Sequence, residues 1–163
     1  MKFFYALLIF FITTFLAIQA VAEEDLKAFP TRYTDIHYKD DTNLKTFFRR
    51  ISGAEIDIYT YPGLAKNRID RIVEKVQALL DMYPEKFHFD IQIHPKYEKG
   101  NIAFYSKKDK SIIVYADRIT DNILAHEISH AVIDVYFKTP PPSKVQEILS
   151  QYVDKHLWYE YQP

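Results

Sequence analysis

The sequence predicts an α+β fold: a small mixed sheet with a backing helix, closed by two helices in succession. Three observations carry this expectation. The period-2 runs between residues 33 and 115 are short and separated by polar turns. One long 3.6-period stripe runs from Leu64 to Met82. After Asp121 the period is helical throughout, broken once by Thr139-Pro140-Pro141-Pro142. Strands grouped ahead of two terminal helices are the pattern of α+β rather than of alternating α/β.

Taken in order, Tyr33–Tyr38 alternates weakly and reads as a short strand. Asp41-Thr42 then precede Leu44, Phe47, Phe48 and Ile51 at i, i+3, i+4, i+7, which predicts an N-capped helix stopped by Gly53. Ile56, Ile58 and Thr60 alternate with Asp57, Tyr59 and Tyr61 and predict a strand closed by Pro62-Gly63. In the long helix, Ile69, Ile72, Val73, Val76, Leu79, Leu80 and Tyr83 share one stripe, ended by Pro84. The clearest strand follows: Phe87, Phe89, Ile91 and Ile93 face one way, His88, Asp90, Gln92 and His94 the other. Ile102–Tyr105 and Ser111–Tyr115 predict two more strands about the turn Lys107-Lys108-Asp109-Lys110. Asp121 is the expected N-cap of a helix to about Phe137, with a stripe of Leu124, Ile128, Ala131, Val132 and Val135. Ser143 and Gln146 form an S-x-x-Q capping box for the last helix, whose expected buried face is Val145, Ile148, Leu149, Tyr152 and Val153. The expected order is β-α-β-α-β-β-β-α-α.

Composition narrows the function. The chain of 163 residues has net charge −1 and no cysteine. A near-neutral chain has no electrostatic footprint for nucleic acid or an anionic membrane. Without cysteine there is no disulfide framework, thiolate metal site or thiol nucleophile, so any metal site must be built from His and carboxylate. The N-terminus is a separate matter. Met1-Lys2 is followed by an uncharged run, Phe3–Val21, then by Ala20-Val21-Ala22 and Glu23-Glu24-Asp25. That is a secretory signal peptide pattern with cleavage after Ala22. It predicts a signal peptide over 1–22, a single domain over 23–163, and a periplasmic or secreted product with no membrane contact after cleavage. The apolar run is also just long enough to span a bilayer, so an uncleaved anchor is the alternative.

The sharp chemical signal is His126-Glu127-Ile128-Ser129-His130, an H-E-x-x-H on a predicted helix. Residues i and i+4 share a helix face, so both imidazoles can reach one zinc ion, while Glu127 lies beside them as a base for zinc-bound water. At this composition, chance yields the motif roughly 0.01 times in such a chain. Its mid-helix setting between small Ala125 and Ala131 argues further against accident. A third protein ligand is needed. Six residues after His130 stands Tyr136, which excludes the metzincin type. The closing helix offers Glu147, Asp154 and His156. Glu147 is favoured, because an antiparallel helix pair brings a first-turn position back to the middle of the preceding helix; His156 comes second. His88 and His94 lie about 20 Å apart along one strand and read as exposed residues, not joint ligands.

The segment Ala125–Asp134 resembles the active-site helix of the thermolysin-like metallopeptidases, the gluzincins, within the peptidase MA-like group. Gln146-Glu147-Ile148-Leu149-Ser150-Gln151-Tyr152 resembles their glutamate helix, and Ile102–Tyr105 with Ile112–Tyr115 resembles the strands on which these enzymes align substrate. The resemblance covers roughly residues 100–155. It implies a zincin-like fold, zinc as cofactor, His126, His130 and Glu147 as ligands, Glu127 as catalytic base, and a peptide or protein substrate. Gln151 stands where the family often has an aspartate that orients a ligating histidine, with Asp134 as an alternative partner. Tyr136, Tyr152, Tyr159 and Tyr161 are the candidates for stabilising the oxyanion. The rival expectation is a non-catalytic zinc-binding zincin-like module.

Overall fold

The computed structural model describes residues 26–158. The expected signal peptide, its cleavage site, Tyr159 and Tyr161 lie outside the described residues. Among the described residues no helix is long and apolar enough to cross a membrane.

Among the described residues the fold is mixed α and β, a five-stranded sheet with four helices. β1 (Lys27–Pro30) and β2 (Thr34–Tyr38) form an antiparallel hairpin. Its turn is held by the Thr31 hydroxyl, which accepts from the N–H groups of Tyr33 and Thr34. β1 was not expected. It is four residues long, ends in proline and buries little beyond part of Phe29, which sits edge-on to Phe48. A short edge strand of that kind carries almost no period-2 signal.

α1 (Asp41–Ser52) buries the predicted stripe Leu44, Phe47, Phe48 and Ile51. Its N-cap is Asp40, one residue earlier than expected, whose carboxylate accepts from Asn43 N at 3.0 Å. Gly53 ends the helix at φ 69°, a left-handed position where a side chain is strained. The strand expected over Ile56–Thr60 does not form. The Asp57 carboxylate accepts from the N–H groups of Tyr59 and Thr60 and from the Thr60 hydroxyl, closing a turn on the backbone groups a strand would need. Ile58 alone of that alternation is buried.

α2 (Pro62–Leu80) starts on Pro62 and buries Ile69, Ile72, Val73 and Val76. Tyr83, expected on the same stripe, is exposed because the helix has already ended at Asp81. β3 (Phe89–His94) follows, then the hairpin of β4 (Ala103–Ser106) and β5 (Ser111–Tyr115). The sheet order is β1-β2-β3-β5-β4. β2, β3 and β5 run parallel, and antiparallel β1 and β4 form the two edges. The observed order is therefore β-β-α-α-β-β-β-α-α.

One face of the sheet is apolar. Ile36, Ile91 and Ile112 sit in register across it, and Phe89, Ile93 and Val114 extend the same layer. α1 and α3 (Asp121–Tyr136) pack on this face, and α3 also touches α2, α4 (Ser143–His156), β4 and β5. The helix carrying the H-E-x-x-H is thus the hub of the helical layer. The other face carries Asp35, His37, Asp90 and Gln92, all half-buried.

Candidate metal centre and cleft

α3 is anchored at its first turn. The Thr120 hydroxyl accepts from Ile123 N, which makes Thr120 and not Asp121 the N-cap. That frees Asp121 for other work: its carboxylate takes Arg68 Nη2 of α2 at 2.9 Å and Trp158 Nε1 at 2.6 Å. Arg68 also lies over the Trp158 ring. The start of α3, the middle of α2 and the end of α4 are tied together at one point.

From that anchor, Leu124, Ala125, Ile128, Ala131 and Val132 are buried, while His126, Glu127 and His130 remain partly accessible. The two imidazoles face one another with centroids 5.1 Å apart, as one helical turn dictates. The proline run reverses the chain, and α4 returns alongside α3. This sets Glu147 opposite both rings: Oε2 is 3.4 Å from His126 Nε2 and Oε1 is 3.3 Å from His130 Nε2. Asp154 and His156, the other expected ligands, are not brought to this point. Asp154 lines a neighbouring cavity, and His156 stacks on Tyr152.

The spacing tests whether a metal fits. Four donors at about 2.0–2.1 Å around a tetrahedral ion stand about 3.3–3.4 Å from one another. The two nitrogen–oxygen separations, one to each oxygen of the Glu147 carboxylate, are close to that length and exceed a good charge-assisted hydrogen bond of about 2.7–2.9 Å, and one donor atom from each of the three side chains lies within 4.8 Å of the others. The donor set, two imidazoles and a carboxylate, suits zinc and leaves a fourth position open. The three side chains therefore fit one zinc ion.

Glu127 is held separately. Its Oε2 accepts the Tyr105 N–H of β4 at 2.8 Å. Burial pushes its carboxyl up to about 7; the Tyr105 N–H opposes this and the neighbouring Glu147 carboxylate adds to it. A carboxyl poised there exchanges protons readily at neutral pH. Burial pushes His130 below its usual pKa, against the pull of Glu147 and of a hydrogen bond to the Gln146 side chain, with His126 pushing further down.

Three expectations are not met here. Ser143 is the first residue of α4 and the N-cap is Pro142, so the S-x-x-Q box does not form. Gln146 instead donates from Nε2 to Pro141 O at 2.7 Å, and its side chain favours the protonated form of His130. Gln151, expected to orient a ligating histidine, is exposed. Asp134 does not serve a histidine either. It takes the Tyr105 hydroxyl at 3.2 Å and Lys107 Nζ at 2.6 Å, and so ties the end of β4 to α3. Burial and Asp134 together push the Tyr105 phenol well above its ordinary pKa.

A cleft of about 340 Å³ is lined by Asn101, Phe104, Tyr105, His126, Glu127, His130 and Glu147. A second cavity, of about 360 Å³, shares Asn101, His126 and Glu127 and runs on past Ala103 to Asp154. The two meet at Glu127 and form a trough along the free edge of β4. Ile102 O accepts Tyr115 N from β5, so the antiparallel alternation turns the backbone groups of Ala103 and Tyr105 towards the trough. Asn101 was not anticipated; it sits in a loop just before β4, where only its short amide side chain hinted at polar contact. Tyr136 and Tyr152 do not line the trough: both are exposed, Tyr136 against Phe137 and Tyr152 against His156. α4 departs from its expected buried face in the same way. Val145, Ile148 and Tyr152 are exposed; Val153 is buried and Leu149 half-buried as expected, and Ser150 is buried where no burial was expected.

No family model, curated protein or solved structure matches the chain. What the site can do follows from its own residues.

Proposed function

We propose that the protein is an exported zinc-dependent metallopeptidase of gluzincin type on a zincin-like fold, with His126, His130 and Glu147 as metal ligands and Glu127 as general base. The observation that carries this reading is the Glu147 carboxylate, set 3.4 and 3.3 Å from the two Nε2 atoms, with Glu127 held beside it by a strand edge. A bound zinc ion would supply a Lewis acid for the scissile carbonyl and lower the pKa of the water it holds.

The chain's own groups do the rest. Glu127 accepts the proton from the attacking water and passes it to the leaving amine, a task that its raised pKa suits. The Tyr105 N–H orients the Glu127 carboxylate towards the reacting centre. An extended peptide adds to the outer edge of β4 through the Ala103 N–H and C=O and the Tyr105 C=O, the Tyr105 N–H being engaged by Glu127, which gives backbone recognition with little dependence on sequence. The trough runs both ways from Glu127, which suits a chain passing through. The substrate is accordingly a peptide or unfolded protein segment met outside the cytoplasm, after cleavage behind Ala22. N-terminal sequencing of the exported protein is expected to begin at Glu23.

A second reading, a zinc-binding module without turnover, draws on one observation: no tyrosine among the described residues reaches the trough except Tyr105, whose hydroxyl is engaged by Asp134. A peptide-library assay on zinc-loaded wild type and Glu127→Gln decides between them. Peptidase action predicts a fall in turnover of about 10²–10⁴-fold at unchanged zinc content. Equal, background turnover in both leaves only the binding module.

A further inference from the structure

The sheet face turned away from the helices holds a second convergence of metal-ligating side chains. Asp35 of β2 and Asp90 of β3 are register partners in the parallel ladder. Both carboxylates stand on the open face, because Ile36 and Ile91 beside them point into the core. Like charges paired directly across strands are unfavourable unless something compensates them. Two histidines close in on the pair. His88, just ahead of β3, sets Nε2 3.3 Å from Asp35 Oδ2. His37, two residues along β2, sets Nε2 3.4 Å from Asp90 Oδ1. One donor atom each from Asp35, His88 and Asp90 lies within 4.8 Å of the other two.

We propose that Asp35, His88 and Asp90 form a second divalent-cation site, of zinc class, that clamps β2 to β3, with His37 orienting Asp90 from outside the ligand triangle. Two carboxylates balance a divalent charge, and the imidazole selects a borderline ion such as zinc over calcium or magnesium. The 3.3 Å nitrogen–oxygen separation is again the edge of a zinc tetrahedron. The role is structural. The site lies in the open, with the His88 side chain 52% exposed, and among the described residues no buried acid or base stands beside it. A clamp here has a physical use: the chain has no disulfide, and β2 and β3 are far apart in sequence. A metal that binds only the folded arrangement adds its binding energy to folding.

The proposal does not depend on the peptidase reading, and zinc stoichiometry separates the two. Purified protein is dialysed against micromolar zinc and its bound metal measured by native mass spectrometry, with thermal unfolding followed in parallel. Wild type is expected to hold two zinc ions, and His126→Ala/His130→Ala one. In that double variant, added zinc raises the Tm. Adding His88→Ala or Asp90→Asn removes the remaining ion, with affinity falling roughly 100-fold or more, whereas His37→Ala weakens it less. If the double variant takes up no zinc and its Tm does not respond, the second site is overturned, whatever the wild type binds. One ion in wild type and one in the double variant would support this site and sink the first. The four side chains concerned lie on the surface, so their variants are expected to fold, and circular dichroism checks that they do.

Discussion

Two clusters in this molecule have nearly the same donor spacing and unlike surroundings. On α3 and α4, His126, His130 and Glu147 stand at 3.3–3.4 Å. On the open sheet face, His88 and His37 stand at 3.3 and 3.4 Å from Asp35 and Asp90. The difference lies in what adjoins them. The helical cluster has imidazoles only 20% and 16% exposed, a half-buried carboxyl at Glu127 and a trough along a strand edge. The sheet cluster has solvent on one side and a hydrophobic core on the other. Donor geometry can make a metal site in either place. Only a sheltered site, with a poised acid–base group and room for an extended chain, can also do chemistry.

The comparison can be broken most sharply at the helical cluster. His130→Ala, or chelation of the wild type, is expected to take peptide hydrolysis to background. Zinc added back restores the chelated wild type and not the variant; full activity in His130→Ala would end the equivalence between this cluster and a reactive centre. A smaller effect is expected at the outer partner. Gln146→Ala removes the amide that favours protonated His130 and is expected to weaken zinc binding about 10–100-fold if that amide orients the ring, read by competition with a chromogenic chelator. Unchanged affinity would mean that α4 packing alone holds the ring.

The smallest effect concerns stability. In zinc-free protein the folded-state pKa of Glu127, about 7, lies above its ordinary value of 4.5. The native state then holds a proton that the unfolded state has released, so stability falls as pH rises from about 4.5 to about 7 and stays low above that. Glu127→Gln removes this dependence. Denaturant unfolding is expected to find the variant gaining about 3 kcal/mol on the wild type between pH 4 and pH 8. A constant difference would mean that Glu127 is not desolvated.

Much of this was open to sequence reading, for local reasons. The stripe of α1 and most of that of α2 match the buried residues because each helix has one strongly apolar face; Gly53 stops α1 as expected, whereas α2 ends at Asp81, ahead of the expected stop at Pro84, and leaves Tyr83 exposed. β3 alternates cleanly because it is central, with one face on the core. The H-E-x-x-H was legible because helical spacing fixes the relation of His126 to His130 without help from the rest of the chain. The failures also have local causes. Residues 56–60 alternate like a strand, yet one carboxylate, Asp57, captures the backbone donors and turns the chain. α4 has apolar residues on more than one side, and its period does not say which side a neighbour will cover.

The sequence by itself determined most of the element types, the absence of thiol chemistry and the pair of histidines one turn apart, because these depend on composition and on contacts within a few residues. Only the tertiary structure decided that Glu147 rather than Asp154 or His156 meets those histidines, that Asp134 ties down Tyr105 and Lys107 rather than a histidine, and that Asp35 and Asp90 stand side by side. Each of these relations joins elements whose approach is set by core packing and strand register. Those are properties of the whole chain that no local window contains.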